Sequence, residues 1–223
     1  KTVAEKNLPL SLAELFADAR EVYRGSSAER KFSGEIDYAG ALRAFFRERL
    51  EFYLRDVLGF KYDVVNAVLA AGSDDVVDAI ARAEALKNVL HMPEFEAIGA
   101  ACKRMRNILK QARENGIEPA AMFDFSLDAS HEEKNLAAYV ERNAARIEAH
   151  RRNKEYGDAL LLLSTVRDQV DAFFDKVMVM VDDERVRANR LALLQSLLKE
   201  FSTIADFSEI VTEGKESKES SKH

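Results

Sequence analysis

The stretch DYAGALRAFFRERLEFYLRDVLG, Asp37 to Gly59, decides the fold class. Leu42, Phe45, Phe46, Leu50, Tyr53, Leu54 and Val57 recur at three- and four-residue spacing, the period of one buried helical face. Asp37 is a residue type that caps helix N-termini, and Gly59 is one that ends helices. The spacing predicts a long helix over 37–58 with that apolar stripe in the core.

Outward from there the same pattern repeats. Ser11-Leu12-Ala13-Glu14 reads as a capping box that opens a short helix, and 25–36 as a polar loop. Two shorter helices are expected over 63–71 and 74–90, divided by Gly72-Ser73. Pro93 suits the first turn of a helix that runs to about Asn115 and stops at Gly116. Residues 117–129 read as irregular. Ser130-His131-Glu132-Glu133 is a second capping box, heading a charged helix to about Lys154. Gly157-Asp158 opens a further helix, expected to run unbroken to about Val181. Within it Val177-Met178-Val179-Met180-Val181 has strand propensity, but Leu160, Leu163, Val166, Phe173 and Phe174 continue one helical face into it. Asp182-Asp183-Glu184 then places acid at the N-terminus of a last helix, where the helix dipole favours it.

With 223 residues and 47% apolar, the chain can bury a substantial core, and 9 Gly and 3 Pro leave long stretches free of helix breakers. The expected architecture is all-α, an antiparallel bundle of about seven to eight helices. Residues 1–36 are expected to lead in from an upstream domain, 37–211 to form the bundle, and the Lys/Glu/Ser-rich 212–223 to be a disordered tail. Opening at Lys1 without a signal segment, the chain reads as an excised domain.

For catalysis the residues offer little. The single cysteine, Cys102, excludes an internal disulfide and reads as a buried hydrophobe. No Gly-rich phosphate loop, no Cys/His zinc spacing and no Glu-x-x-His metal signature occurs. Asp63, Asp74, Asp75 and Asp78 cluster, chiefly at helix-cap positions. No apolar run is long enough to cross a membrane.

Binding is more legible. Lys103, Arg104, Arg106, Lys110 and Arg113 are five cations in eleven residues with no acid among them. Lys103, Arg106 and Lys110 fall on one side of a helix, and Met105, Ile108 and Leu109 on another. Such a run is usually a solvated face. On a body of net charge −6 it is also the natural place for phosphates, with Asn107 positioned to read a base edge. A second group, Arg43, Arg47, Arg49 and Arg55, is interleaved with aromatics. Phe52 and Tyr62 fall off the core stripe and are the stacking candidates, with Lys61 beside Tyr62. The competing reading is a protein-docking bundle.

The stretch Val170 to Asp183 (VDAFFDKVMVMVDD), with Val186-Arg187-Ala188-Asn189-Arg190-Leu191 and Ala205-Asp206-Phe207-Ser208, closely resembles the C-terminus of bacterial glycyl-tRNA synthetase β subunits. Lys103 to Leu109, Tyr62 to Val65 and Ala67 to Leu69 resemble that family as well. The resemblance spans about 40–211. It implies an anticodon-binding bundle similar to that of arginyl-tRNA synthetases, gripping the anticodon arm of glycine tRNA, where two cytosines lie. The whole enzyme would be a cytoplasmic α2β2 ligase using ATP and Mg, with this part non-catalytic and without a cofactor or metal of its own. The residues carried over are Lys103, Arg104, Asn107, Arg187, Asn189 and Arg190; the last three are alternatively expected to fix the last helix against Asp171 and Asp175. The Asp-Ala-Leu-Arg signature of the wider class is not intact; Gly40-Ala41-Leu42-Arg43 and Asp158-Ala159-Leu160-Leu161 come nearest. In the docking alternative, the bundle would instead seat the α subunit.

Overall fold

The computed structural model describes residues 1–27, 29, 37–127 and 129–210. The expected tail and residues 28 and 30–36 of the expected 25–36 loop lie outside the described residues. The fold is all-α. In chain order the helices are α1 (Thr2–Glu5), α2 (Leu12–Val22), α3 (Tyr38–Phe52, continued by a π-turn over Tyr53–Val57), α4 (Tyr62–Ala71) and α5 (Val76–Val89). There follow α6 (Pro93–Glu114), α7 (His131–Arg152), α8 (Tyr156–Ser164), α9 (Arg167–Lys176), α10 (Glu184–Ser202) and a 3-10 turn at Phe207–Glu209.

Ser11, Asp37 and Ser130 cap the helices that the sequence assigned to them, and Asp75 and Asp183 cap two more. The Asp37, Asp75, Ser130 and Asp183 side chains accept from backbone N–H groups of the first turns they head. At Ser130 the box is reciprocal, with Glu133 accepting the Ser130 N–H. Gly59 and Gly116 take φ of 72° and 71°, the left-handed conformation that ends α3 and α6.

One contiguous core joins α6, α7, α8, α9 and α10, and the 3-10 turn seats on α6 and α4. Phe95, Phe173, Phe201 and Phe207 are fully buried at its centre. Each such side chain contributes about 1.5–3 kcal/mol by leaving water. A buried arginine closes the other end. Arg82, 4% exposed, donates to the carbonyls of Val68, Gly72 and Ile204 at 2.9, 2.7 and 3.1 Å and to Asp78. The Tyr156 hydroxyl also donates to Asp78, so α4, α5, α8 and the segment after α10 meet on the Arg82–Asp78 pair.

Two expectations are corrected. The unbroken helix over 158–181 divides at Thr165–Val166, and Val177 to Val181 is not helical. Val177 leaves the helix in extended conformation, and exposure alternates: Val177 and Val179 are 6% exposed, Met178 and Met180 73% and 40%. That period of two is what β-branched residues favour in an extended strap. Its carbonyls need no helix, because Arg190 donates to Met178 O at 2.8 Å and Arg187 to Val181 O at 2.7 Å. The second correction concerns α3. Leu50 and Leu54 are buried, but Leu42, Phe45 and Val57 are 42%, 48% and 55% exposed. The N-terminal half of α3 meets α2, with Phe16 and Phe46 rings 5.4 Å apart.

Candidate nucleic-acid interface

Helix α6 is amphipathic, and its core side orients everything else. Ile98, Cys102, Met105, Leu109 and Ala112 are buried along one stripe, so the intervening cations must leave it. Lys103 and Asn107 are exposed, and Asn107 makes no side-chain hydrogen bond among the described residues. Lys110 is exposed too and pairs with Glu114 only at 3.8 Å, a separation and exposure worth at most about 1 kcal/mol. Burial, then the nearby Asp206 carboxylate, pushes the Cys102 thiol up, so it stays a neutral core group.

Two of the three arginines of the run, Arg104 and Arg106, are less free. The Arg104 guanidinium lies 4.1 Å over the Phe174 ring, a cation–π contact that joins α6 to α9. Arg106 is paired with Asp206, and also with Glu209 at 3.6 Å, tying α6 to the 3-10 turn. Sequence spacing placed Arg106 with Lys103 and Lys110; the structure gives its charge a carboxylate already.

Lys61 and Tyr62 head α4, with Tyr62 63% exposed, and Phe52 is 54% exposed. Arg47 instead donates to the Leu69 carbonyl at 2.6 Å, satisfying the C-terminal turn of α4.

Arg187, Asn189 and Arg190 point into the molecule. Asn189, 2% exposed, accepts from the Asp124 N–H at 2.7 Å and donates to the Asp124 carbonyl at 3.2 Å. Arg190 grips Glu133 at two points and Arg187 holds the strap. These contacts fix the last helix, as the structural alternative expected, but against Asp124, Glu133 and residues 178–182 rather than Asp171 and Asp175.

Side chains that the spacing did not single out complete the basic side of α6. A groove of about 540 Å³ runs between α6 and α10, lined on one wall by Arg106, Lys110 and Arg113 and on the other by Gln195 and Lys199. Gln195 and Lys199 also line a second hollow of about 610 Å³ beneath the 117–127 loop. Lys199 lies 89 residues from Lys110 in sequence, so no local pattern pairs them. Elsewhere, His150, Glu155 and Asp158 bring ligand-type atoms within 4.8 Å at the α7–α8 joint. The His150 Nδ1–Glu155 contact of 2.7 Å at that exposed corner accounts for the grouping without an ion.

The DALR anticodon binding domain matches residues 98–219. The chain is similar to the glycine–tRNA ligase β subunit of Acidobacterium capsulatum, 49% identical over 219 residues, which covers 95% of this chain and 30% of the relative. It is 44% identical over 169 residues to that of Syntrophus aciditrophicus, covering 76% of this chain and 24% of the relative. With that of Magnetococcus marinus it shares 36% over 207 residues, 93% of this chain and 29% of the relative. The chain thus spans under a third of the length of the curated relatives it matches.

Proposed function

Because the chain belongs to the DALR anticodon binding domain family and resembles glycine–tRNA ligase β subunits over nearly its whole length, we propose that it grips the anticodon arm of glycine tRNA. In this reading Lys103, Lys110, Arg113 and Lys199 meet phosphates, and Asn107 or Tyr62 meets bases. Arg104 and Arg106 border the phosphate track while holding α6 to α9 and to the 3-10 turn. Arg47, Arg187, Asn189 and Arg190 position backbone rather than touch RNA. The observation that carries the reading is the groove where Lys110 and Arg113 face Lys199 across two helices. Cations gathered in one concavity offset the repulsion of a body with net charge −6.

The remainder of the enzyme would supply ATP- and Mg-dependent glycine transfer, in the cytoplasm, through an α subunit in an α2β2 assembly. Among the described residues no helix is long and apolar enough to cross a membrane. A second reading, docking of the α subunit, is favoured by one feature: Leu15, Leu42 and Phe45 stand exposed along α2 and α3. The test is a binding titration of glycine tRNA against an anticodon-replaced transcript. Tighter binding of the cognate transcript is expected; equal or absent binding, with α-subunit association intact, overturns the anticodon reading in favour of docking.

A further inference from the structure

We infer that Glu209 is a built-in competitor for RNA: its carboxylate occupies the outer side of Arg106, in the place of a phosphate, and holds the sequence-independent grip of the domain below what its cations could give. The inference rests on the RNA reading above and adds a restraint to it.

Lys103, Arg106 and Lys110 follow one another along α6 at three- and four-residue spacing, the two lysines exposed and the Arg106 side chain 43% exposed. By residue type this is an unbroken row for phosphates. The middle place is the exception. Arg106 meets two carboxylates, Asp206 and Glu209, so one cation faces two acids and the row turns negative at its centre.

The two acids are held differently. Asp206, its side chain 7% exposed, also accepts from the Ser208 N–H and hydroxyl at 3.1 and 2.7 Å, and so belongs to the inside of the 3-10 turn. A guanidinium carries five N–H donors in a planar fork, so the pair with Asp206 leaves others facing outward. Glu209 stands on that side, its carboxylate 3.6 Å from Nη1 and 40% exposed. At that separation and exposure the contact adds little to stability. Its backbone is nonetheless fixed. The Glu209 N–H donates to Asp206 O at 3.0 Å, and the Phe207 ring packs against Phe95 and Phe201 with centroids 6.1 and 5.5 Å away. A carboxylate that contributes so little to the fold, yet is anchored beside a fully buried ring, acts chiefly through the charge it sets at Arg106. Being tethered, it competes at an effective concentration that a free phosphate group does not match.

Phosphate contacts carry no sequence information, so each strengthens the binding of right and wrong RNA alike. Withholding Arg106 weakens both by one factor. Base contacts then decide which RNA stays, and either RNA leaves sooner.

The experiment titrates the chain and its Glu209→Gln variant with glycine tRNA and with an anticodon-replaced transcript over a salt series. Glu209→Gln should tighten both transcripts by the same factor, and that factor should be about threefold larger at about 50 mM than at about 200 mM salt, as one added phosphate contact requires. Its denaturation midpoint should match the parent's, because the lost contact lies largely in water. In an Arg106→Ala background the gain should vanish. Should that background fail to fold, the nitrogen resonance of the Arg106 Nε–H should move with bound RNA in Glu209→Gln and stay in place in the parent; equal movement in both refutes the competitor. It is also refuted if Glu209→Gln binds as the parent does, tightens only one transcript, or keeps its gain without Arg106. RNA binding by the groove then still stands if Lys110→Ala flattens the salt dependence. If Lys103→Ala and Lys110→Ala also change nothing, the RNA reading falls with it.

Discussion

Arg190 on α10 and Glu133 at the head of α7 bond side by side, Nε to Oε1 at 2.9 Å and Nη2 to Oε2 at 3.2 Å, with Glu133 only 1% exposed. The same carboxylate accepts the Ser130 N–H that starts α7, so one buried side chain closes a capping box and a helix–helix contact together. Removing one member leaves the other charged and unpaired in the interior. Glu133→Ala is expected to cost about 3–5 kcal/mol, read by chemical denaturation; a loss under about 1 kcal/mol contradicts the buried pair.

The pair also sets an acid response. Burial alone pushes the Glu133 carboxyl up, but the Arg190 guanidinium and the Ser130 amide and hydroxyl outweigh it, and the group lies below the ordinary 4.5. The unfolded chain therefore binds this proton more readily than the folded one. Its contribution is complete above that ordinary value and fades as pH falls through the lower folded one. Glu133→Gln should be less stable than the parent at neutral pH and lose less on acidification. Parallel stability curves for the two proteins would contradict this.

The Asn189 clamp yields a prediction about order. Asn189→Ala leaves the Asp124 amide and carbonyl without partners, a loss of about 1–3 kcal/mol, and frees the 117–127 loop from α10. Hydrogen exchange at the Asp124 amide should accelerate, while α6 amides keep their protection. Unchanged exchange would show that Ala120–Ala188 holds the loop unaided.

Phe173 is fully buried, and Phe174, half-buried, carries Arg104 over its ring. Phe173→Ala should cost about 3–5 kcal/mol. Phe174→Ala should cost less and be matched by Arg104→Ala in a double-mutant cycle, with a coupling of about 0.5–2 kcal/mol. Strictly additive losses would exclude the cation–π contact.

On RNA, the cations should divide by their intramolecular partners. Lys103→Ala and Lys110→Ala are each expected to lower the salt slope by about one phosphate's worth for any anticodon. Arg106→Ala should change the slope less, because Asp206 already meets its charge, and should lower stability instead. Asn107→Ala should cost about 1–3 kcal/mol on the cognate transcript alone. Equal slopes for all three cation variants would refute this division.

The purified chain should show no ATP–pyrophosphate exchange with glycine, since it carries no nucleotide-binding signature. Exchange above a buffer control would overturn the non-catalytic reading.

Sequence alone determined what is periodic or local. Helix spacing, the caps at Ser11, Asp37 and Ser130, the glycine stops and the cation run on α6 all depend on neighbours within one or two turns, so one chain displays them. The apolar stripe of α3 was equally visible, but its burial was not, since that requires knowing where the core ends. Tertiary structure alone decided the rest. It broke the helix at 165–166 and held Val177 to Val181 extended, because Arg187 and Arg190 deliver donors from a later helix to its carbonyls. It turned Asn189 and Arg190 inward onto Asp124 and Glu133, and it set Lys199 across from Lys110. A side chain's type and helical phase are written locally; which charge it meets depends on a partner tens of residues away, and only packing brings that partner near.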